Sequence, residues 1–312
     1  RLFDGSNPKV KFVQTDEEVG NTLKTLLPPD AAISPSGKDF GFVHRSTEDA
    51  EIYFVANTSN EKKKTEISFR AAAPQAEVWD AMNGQSSLAS VKSQTADATT
   101  IALDFEPYQS HVLIFSKTKK PIAILQSAGK IVLTDDLSAD WKVTIGKNAP
   151  IIMNQLRSWT DDEPTRYFSG TATYEKSIVV PEGLLKKGNS VQLDFGEGKP
   201  LEVQPTRNGM QTWLDAPIRE AAVIYINDRK VGSLWCPPYK LDITSFLRKG
   251  ENKIRIVVAN TALNYMSGRK LPDYKLLNLR YGERFQAQEM DKIQPISSGL
   301  FGTVKLNSIA EK

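Results

Sequence analysis

The sequence is poor in the residues that carry most metal and redox chemistry. Its 312 residues include one cysteine, Cys236, and two histidines, His44 and His111. A lone cysteine excludes an intramolecular disulfide framework and any cysteine-based zinc site, and it reads as a small buried hydrophobe. Two histidines are too few for a histidine-rich metal site. No apolar run approaches the roughly 18 residues that a membrane-spanning helix needs. Phosphate-binding glycine loops and a Gly-x-Ser-x-Gly nucleophile elbow are also missing, and Gly196-Glu197-Gly198 reads only as a turn. Neither sign of charge dominates, since 40 basic and 37 acidic residues leave a formal +3. The basic clusters, such as Lys62-Lys63-Lys64, lie between apolar strands without interleaved aromatics, which argues against nucleic-acid binding. The chain opens on Arg1, and no signal-peptide pattern is read in its first residues.

What is present reads mostly as strand. Residues 9–13 (KVKFV) have the pattern of a short strand. Asp16 to Leu27 follows as a helix, with Thr15 or Asp16 as N-cap, acids in the first turn and Pro28-Pro29 as the stop. One strand and one helix cannot cover their own apolar faces. Residues 1–32 are therefore expected to be a βα remnant of a preceding domain, or a linker packed on the next one.

From Ile33 to Lys117 six strands are predicted at short, even spacing: 40–44, 51–57, 64–70, 75–80, 99–103 and 110–115. This argues for a small antiparallel, immunoglobulin-like sandwich over residues 33–117. Tyr53, Phe54, Phe69, Trp79, Phe105, Tyr108 and Phe115 are its expected aromatic core. The charged joint Lys117-Thr-Lys-Lys-Pro121 ends it. Residues 118–312 form a second, larger sandwich, with strands predicted at 130–133, 141–145, 167–179, 190–195, 221–227, 230–235, 253–260 and 302–306. In the third of these, Ser169-Gly170 is unusual, because a mid-strand glycine marks a bulge or a close backbone approach. The stretches 198–217 and 266–295 lack regular patterning, and loops of that length in a compact domain are usually functional.

Several motifs of the second sandwich fall in a recognisable order. The run from Ala222 to Trp235 turns at Asn227-Asp228, continues through Cys236-Pro-Pro-Tyr239 and Asp242-Ile-Thr244, and re-enters a strand after Gly250-Glu-Asn252. This resembles the galactose-binding-like jelly roll of family 2 glycoside hydrolases and their relatives. The wider order resembles the C-terminal part of glycoside hydrolase family 106, the α-L-rhamnosidases. The residues concerned are Asp39 to Arg45, Ile52 to Asn57, Phe69-Arg70, Trp79-Asp80, Ser158-Trp159-Thr160-Asp161, Ser169 to Tyr174 and Ser298 to Gly302. The resemblance implies an all-β accessory region of two sandwiches. It also implies catalytic carboxylates on an upstream barrel domain of the same polypeptide, a secreted or periplasmic parent, and a rhamnose-containing glycan as partner.

Glycoside hydrolysis needs two carboxyl groups facing each other across the scissile bond, and no spacing in this chain singles out such a pair. Asp161-Asp162-Glu163 has two readings: a solvated loop before Pro164, or a cation site, since three clustered oxygen donors suit Ca²⁺. His44-Arg45 at a strand end invites a contact role, but no nucleophile stands beside it. For sugar binding the useful groups are aromatic faces and planar polar side chains. The candidates are Trp159, Trp213, Trp235 and Tyr239, with Arg166, Asn260 and Asn264 as polar partners. The competing reading of the tryptophans is burial in a core or interface. Two rivals to a carbohydrate-binding accessory region therefore stand: a purely structural or interaction module, and a self-sufficient glycosidase.

Overall fold

The computed structural model describes residues 10–35, 37–81, 84–118, 129–186, 188–204, 212–270, 273–283 and 293–310. The chain divides into two compact units, residues 1–125 and 126–312. Both are built from antiparallel sheets, so the all-β sandwich expectation holds.

In the first unit a helix spans Asp16–Leu26, with Asp16, Glu17 and Glu18 in its first turn, where the helix dipole favours them. None of its residues is buried. The strand expected before it is not seen: residues 10–13 are irregular and Lys9 lies outside the described residues. Of the βα remnant, only the helix is observed.

One sheet of this unit orders the strands Ala31–Ser34, Lys63–Phe69, Thr99–Phe105 and Val91–Gln94. The other orders Phe40–Ser46, Ala50–Asn57, Ser110–Ser116, Gln75–Asp80 and Gln85–Leu88. All six predicted strands are present. The short strands 31–34, 85–88 and 91–94 were not predicted, because four residues offer too little alternation to stand out.

Tyr53, Phe69, Phe105 and Phe115 fill the space between the sheets as expected. Phe54 and Trp79 do not, since both are exposed. The register explains why: Val43 pairs with Phe54, Phe54 with Val112, and Val112 with Trp79. These four lie in one row on the outer face, and period-two alternation puts Tyr53 and Val55 on the inner one.

The inward side chain of His44 stacks on buried Tyr53, with ring centroids 4.1 Å apart. Its Nε2 lies 2.8 Å from Glu51 Oε2 and its Nδ1 3.6 Å from Asp30 Oδ2. Arg70 also pairs with Asp30. His44 is thus held between two carboxylates, and no nucleophile reaches it among the described residues.

In the second unit, one sheet orders Ile151–Met153, Trp141–Ile145, Thr171–Val180, Gly250–Ala259, Ala221–Ile226 and Arg229–Leu234. The other orders Lys130–Asp136, Lys305–Ala310, Asn189–Asp194 and Lys240–Asp242. Thr171–Val180 and Gly250–Ala259 pair without a register break over all ten residues, forming the spine of the larger sheet. Tyr174, Ile254 and Ile256 on their inward face are fully buried.

The predicted turn chemistry is in place. Asn227 and Asp228 take φ of 50° and 63°, the geometry a two-residue hairpin requires. Asp242 Oδ1 accepts from Thr244 N at 2.8 Å. Buried Asn252 accepts from Arg248 N at 2.9 Å and donates to Gly250 O at 3.0 Å, fixing the Gly250-Glu-Asn turn.

Two strand expectations are corrected. The third strand begins at Thr171, not Tyr167, because Glu163–Thr165 forms a 3₁₀ turn and Gly170 adopts φ 149°. The last strand is Lys305–Ala310, because Gly302 at φ 72° breaks the extended path. The stretch 266–295 also contains helical structure, at Leu263–Ser267 and Lys275–Tyr281.

The Asp30–His44–Glu51 cluster generates a pH prediction. The hydrogen bond from Arg70 holds the Asp30 carboxyl below its ordinary value. Burial pushes Glu51 up, but hydrogen bonds from Ser46 and His44 outweigh it and leave Glu51 lowered too. Carboxyls depressed on folding stabilise the fold above their unfolded values, and that contribution is lost as pH falls through the folded ones. The unit should therefore lose stability below about pH 4. Arg70→Ala should shrink that acid-side loss, read by calorimetric melting at pH 7 and pH 3.

Candidate functional site

Within the second unit, the Ser158–Asp161, Ser169–Tyr174 and Ser298–Gly302 motifs converge around Ser298, which is fully buried. Its Oγ accepts from Asn260 Nδ2 and from Asn264 Nδ2, each at 3.0 Å, and donates to Ile296 O at 3.2 Å. Its backbone N donates to Ser158 Oγ at 3.0 Å, and its carbonyl accepts from Trp159 N at 3.0 Å. Asn260 continues the network to the odd glycine: Gly170 N donates to Asn260 Oδ1 at 2.9 Å, and Asn260 Nδ2 also donates to Phe168 O at 3.0 Å. Ser169 Oγ accepts from Tyr265 N at 2.9 Å. Ser169-Gly170 is thus where the chain is clamped before the long strand begins.

Trp159 is fully buried, and its Nε1 donates to Tyr174 Oη at 2.7 Å. Burial pushes the Tyr174 phenol up to about 12, so it stays protonated and can donate in turn. Gly299, at φ 115°, passes directly over this pair. A Cβ there would lie 2.6 Å from Trp159 Nε1 and 2.7 Å from Tyr174 Oη.

The predicted sugar-binding set is therefore divided. Trp159, Asn260 and Asn264 come together, but as a buried lock joining the 158–165 turn, the strand entry at 168–170 and the 296–300 segment. Tyr239 is buried in the core, where desolvation lifts its phenol to about 12. None of the three buried side chains, Trp159, Asn264 or Tyr239, offers a face to a ligand. Trp235 is 61% exposed, Trp213 is half-buried, and Arg166 is exposed with its Nε 3.4 Å from Thr160 O. Sequence reasoning missed the exposed Tyr167 and Tyr265; the Arg269 guanidinium lies 4.0 Å from the Tyr265 ring centroid.

Asp161, Asp162 and Glu163 do not converge as a metal site. Asp161 Oδ2 accepts from Ser158 N at 3.1 Å, completing a capping box, while Asp162 pairs with Arg157 at 2.7 Å. No group of three or more His, Cys, Asp or Glu side chains suited to a metal occurs among the described residues.

The acidic turn instead forms one wall of a cleft of about 470 Å³. Ile151, on the edge strand of the larger sheet, and Pro164 supply its exposed apolar surface, over the buried side chains of Val143 and Ile145. Asn148 and Ala149 line the hairpin turn, and Asp161, Asp162 and Glu163 line the opposite side. A cleft of this size, apolar with a few polar groups at its edge, has the make-up of a small-ligand site. Nothing in the local sequence signals it, because its two walls are separate segments that meet only after folding.

The lock is testable by denaturation. Ser298→Ala leaves one amide proton of Asn260 and one of Asn264 without its acceptor, which should cost about 1–3 kcal/mol. Gly299→Ala adds a steric clash to a disfavoured backbone geometry and should cost more. Urea titrations followed by tryptophan fluorescence would measure both.

Comparison with known proteins places this architecture among glycosidases. Residues 6–93 match the family model for glycoside hydrolase family 106, described as alpha-L-rhamnosidase. The rhamnosidase of Novosphingobium sp. PP1Y superposes on 94% of this chain with a TM-score of 0.69 and 25% identity. A curated protein of Formosa agariphila, named "Putative beta-glucuronidase", is 33% identical over 192 residues, 54% of this chain. The chain spans only 26% of the rhamnosidase's length and 14% of the curated relative's. Over 94% of its length this chain is similar to that rhamnosidase, and it is a region related to glycoside hydrolases.

Proposed function

We propose that this chain is a non-catalytic accessory region of a glycoside hydrolase, and that it contributes a carbohydrate-binding surface to a longer, secreted or periplasmic enzyme. The catalytic carboxylates then belong to another part of that enzyme, an upstream barrel domain. The substrate of the whole is a rhamnose-containing glycan.

The observation that carries the non-catalytic reading concerns the carboxyl groups. A glycosidase acid must hold its proton near neutrality, which requires a raised carboxyl. Glu17, Asp30, Glu51, Asp136 and Glu175 are all shifted the other way, by hydrogen bonds or nearby cations that favour the charged form. At the cleft, Asp161 caps a turn and Asp162 is paired with Arg157. None of the five shifted carboxyls is held in the protonated form a glycosidase acid needs, and Asp161 and Asp162 at the cleft are engaged in a cap and an ion pair.

The cleft supports the binding role. Exposed Ile151 and Pro164 fit the C–H face of a pyranose ring, and the carboxylate and amide edge fits the hydroxyls. The structural calcium expected at Asp161, Asp162 and Glu163 would have to displace the Asp161 cap and the Asp162–Arg157 pair.

Titrating the chain with rhamnose, galactose and rhamnose-containing oligosaccharides, by calorimetry and tryptophan fluorescence, tests this reading. The expected result is saturable millimolar-range binding and no release of nitrophenol from an aryl rhamnoside. Hydrolysis by this chain would overturn the non-catalytic reading. Silence toward every sugar would leave a structural module.

A further inference from the structure

We propose that the Asp16–Leu26 helix and the outer face of the five-stranded sheet in the first unit form one docking surface, and that its occupant is the preceding domain of the parent polypeptide. This rests on the accessory-region reading above and names the surface by which the region is attached.

The helix sets Val19, Leu23 and Leu26 on one stripe, at i, i+4 and i+7, with Glu17, Asn21 and Lys24 on the opposite side. All three apolar residues are exposed, as is Leu27 beyond them. Eleven residues are too few to hold a helix in water by propensity alone, so its stability depends on covering that stripe.

The other half of the surface is the row Val43–Phe54–Val112–Trp79. Val43, Phe54 and Trp79 are exposed and Val112 is half-buried. Single exposed hydrophobics need no explanation, but a contiguous apolar row points to an interaction surface. The indole N–H of Trp79 already donates to buried Glu77, at 2.8 Å from Oε2. An apolar partner can therefore cover that ring without stranding a donor. Val43, Phe54 and Trp79 also belong to the Asp39–Arg45, Ile52–Asn57 and Trp79-Asp80 runs that carry the family resemblance, and sugar binding in the cleft gives those runs no task.

The two halves are a short tether apart. Leu27 is extended, Pro28-Pro29 follows, and Asp30 Oδ2 lies 3.6 Å from the ring of His44, the neighbour of Val43. Three residues span about 10 Å of chain, so the helix is within reach of the row, yet both are left uncovered. What argues for the preceding domain as occupant is length. The family match runs over residues 6–93 and so contains both halves, while this chain spans only 26% of the rhamnosidase that superposes on it. An uncovered surface inside a family region is completed by the rest of the family's length.

Hydrogen exchange, measured on the native full-length polypeptide and on the 312-residue chain, is the test. Amides of residues 20–27 should exchange about 100-fold more slowly in the full-length protein. Leu23→Lys and Val43→Lys, at positions exposed in this chain, should leave its melting temperature unchanged and speed that exchange in the full-length protein. Equal exchange in the two proteins would overturn the docking inference and leave the accessory reading intact. Slow exchange in the monomeric 312-residue chain would overturn it by showing the helix closed on its own sheet. Slow exchange together with a dimer mass in light scattering would overturn it in favour of a second copy. A native polypeptide no longer than these 312 residues would sink the docking inference and the accessory reading together.

Discussion

The Ser298 hydroxyl is the constraint on which the larger sandwich depends. Asn260, just beyond the central strand, and Asn264, on the following helix, both donate to it. The segment that carries it returns from a distant part of the chain to meet Ser158 and Trp159. Each partner has a second obligation: Asn260 fixes the Phe168–Gly170 backbone, Asn264 closes on Ile296, and Trp159 holds Tyr174. Buried polar groups are costly unless every one is paired. No buried side-chain nitrogen or oxygen lacks a partner among the described residues. Such a network favours one arrangement over near-alternatives that an apolar core would tolerate.

The smaller sandwich is organised differently. Its core is a cluster of edge-to-face aromatics, with Tyr53 centred 4.8 Å from Phe69 and 5.6 Å from Phe115. Such pairs are attractive through the positive edge and negative face of each ring, so they orient the sheets without needing hydrogen bonds. Its polar element, the Asp30–His44–Glu51 cluster, sits at the margin of that core and ties the start of the unit to the Phe40–Ser46 and Ala50–Asn57 strands. The two units thus reach a fixed packing by opposite routes.

This difference also explains what the sequence made legible. Some strands could be read directly: Trp141–Ile145, whose burial alternates, and Gln75–Asp80 coincide with their predicted limits. The Asn227-Asp228 turn and the Gly250-Glu-Asn hairpin could be read because their chemistry is local. Alternation alone could not say which face of a strand is the dry one, so Phe54 and Trp79 were assigned to a core they turn away from. The motif residues were visible as a pattern, but their role was not. A Trp, two Asn and a Ser are the same letters in a sugar site and in a buried lock, and only the return of residues 296–300 decides between them. The cleft was illegible for a similar reason, since Val143 and Glu163 share no local pattern.

Lock and cleft are nonetheless one construction. The turn that supplies the acidic wall is held by the network: Asp161 caps Ser158, whose hydroxyl receives the Ser298 amide, and Thr165 Oγ1 donates to Trp159 O at 2.6 Å. The wall is therefore set by the same bonds that fix Trp159 and Gly299. A ligand seated against Asp161 and Glu163 would meet a surface whose conformational entropy was already lost on folding, so little further ordering is needed on binding. The buried set and the open cleft divide two tasks between them. Trp159, Asn260, Asn264 and Ser298 provide rigidity, and the turn they hold in place forms the acidic wall of the cleft.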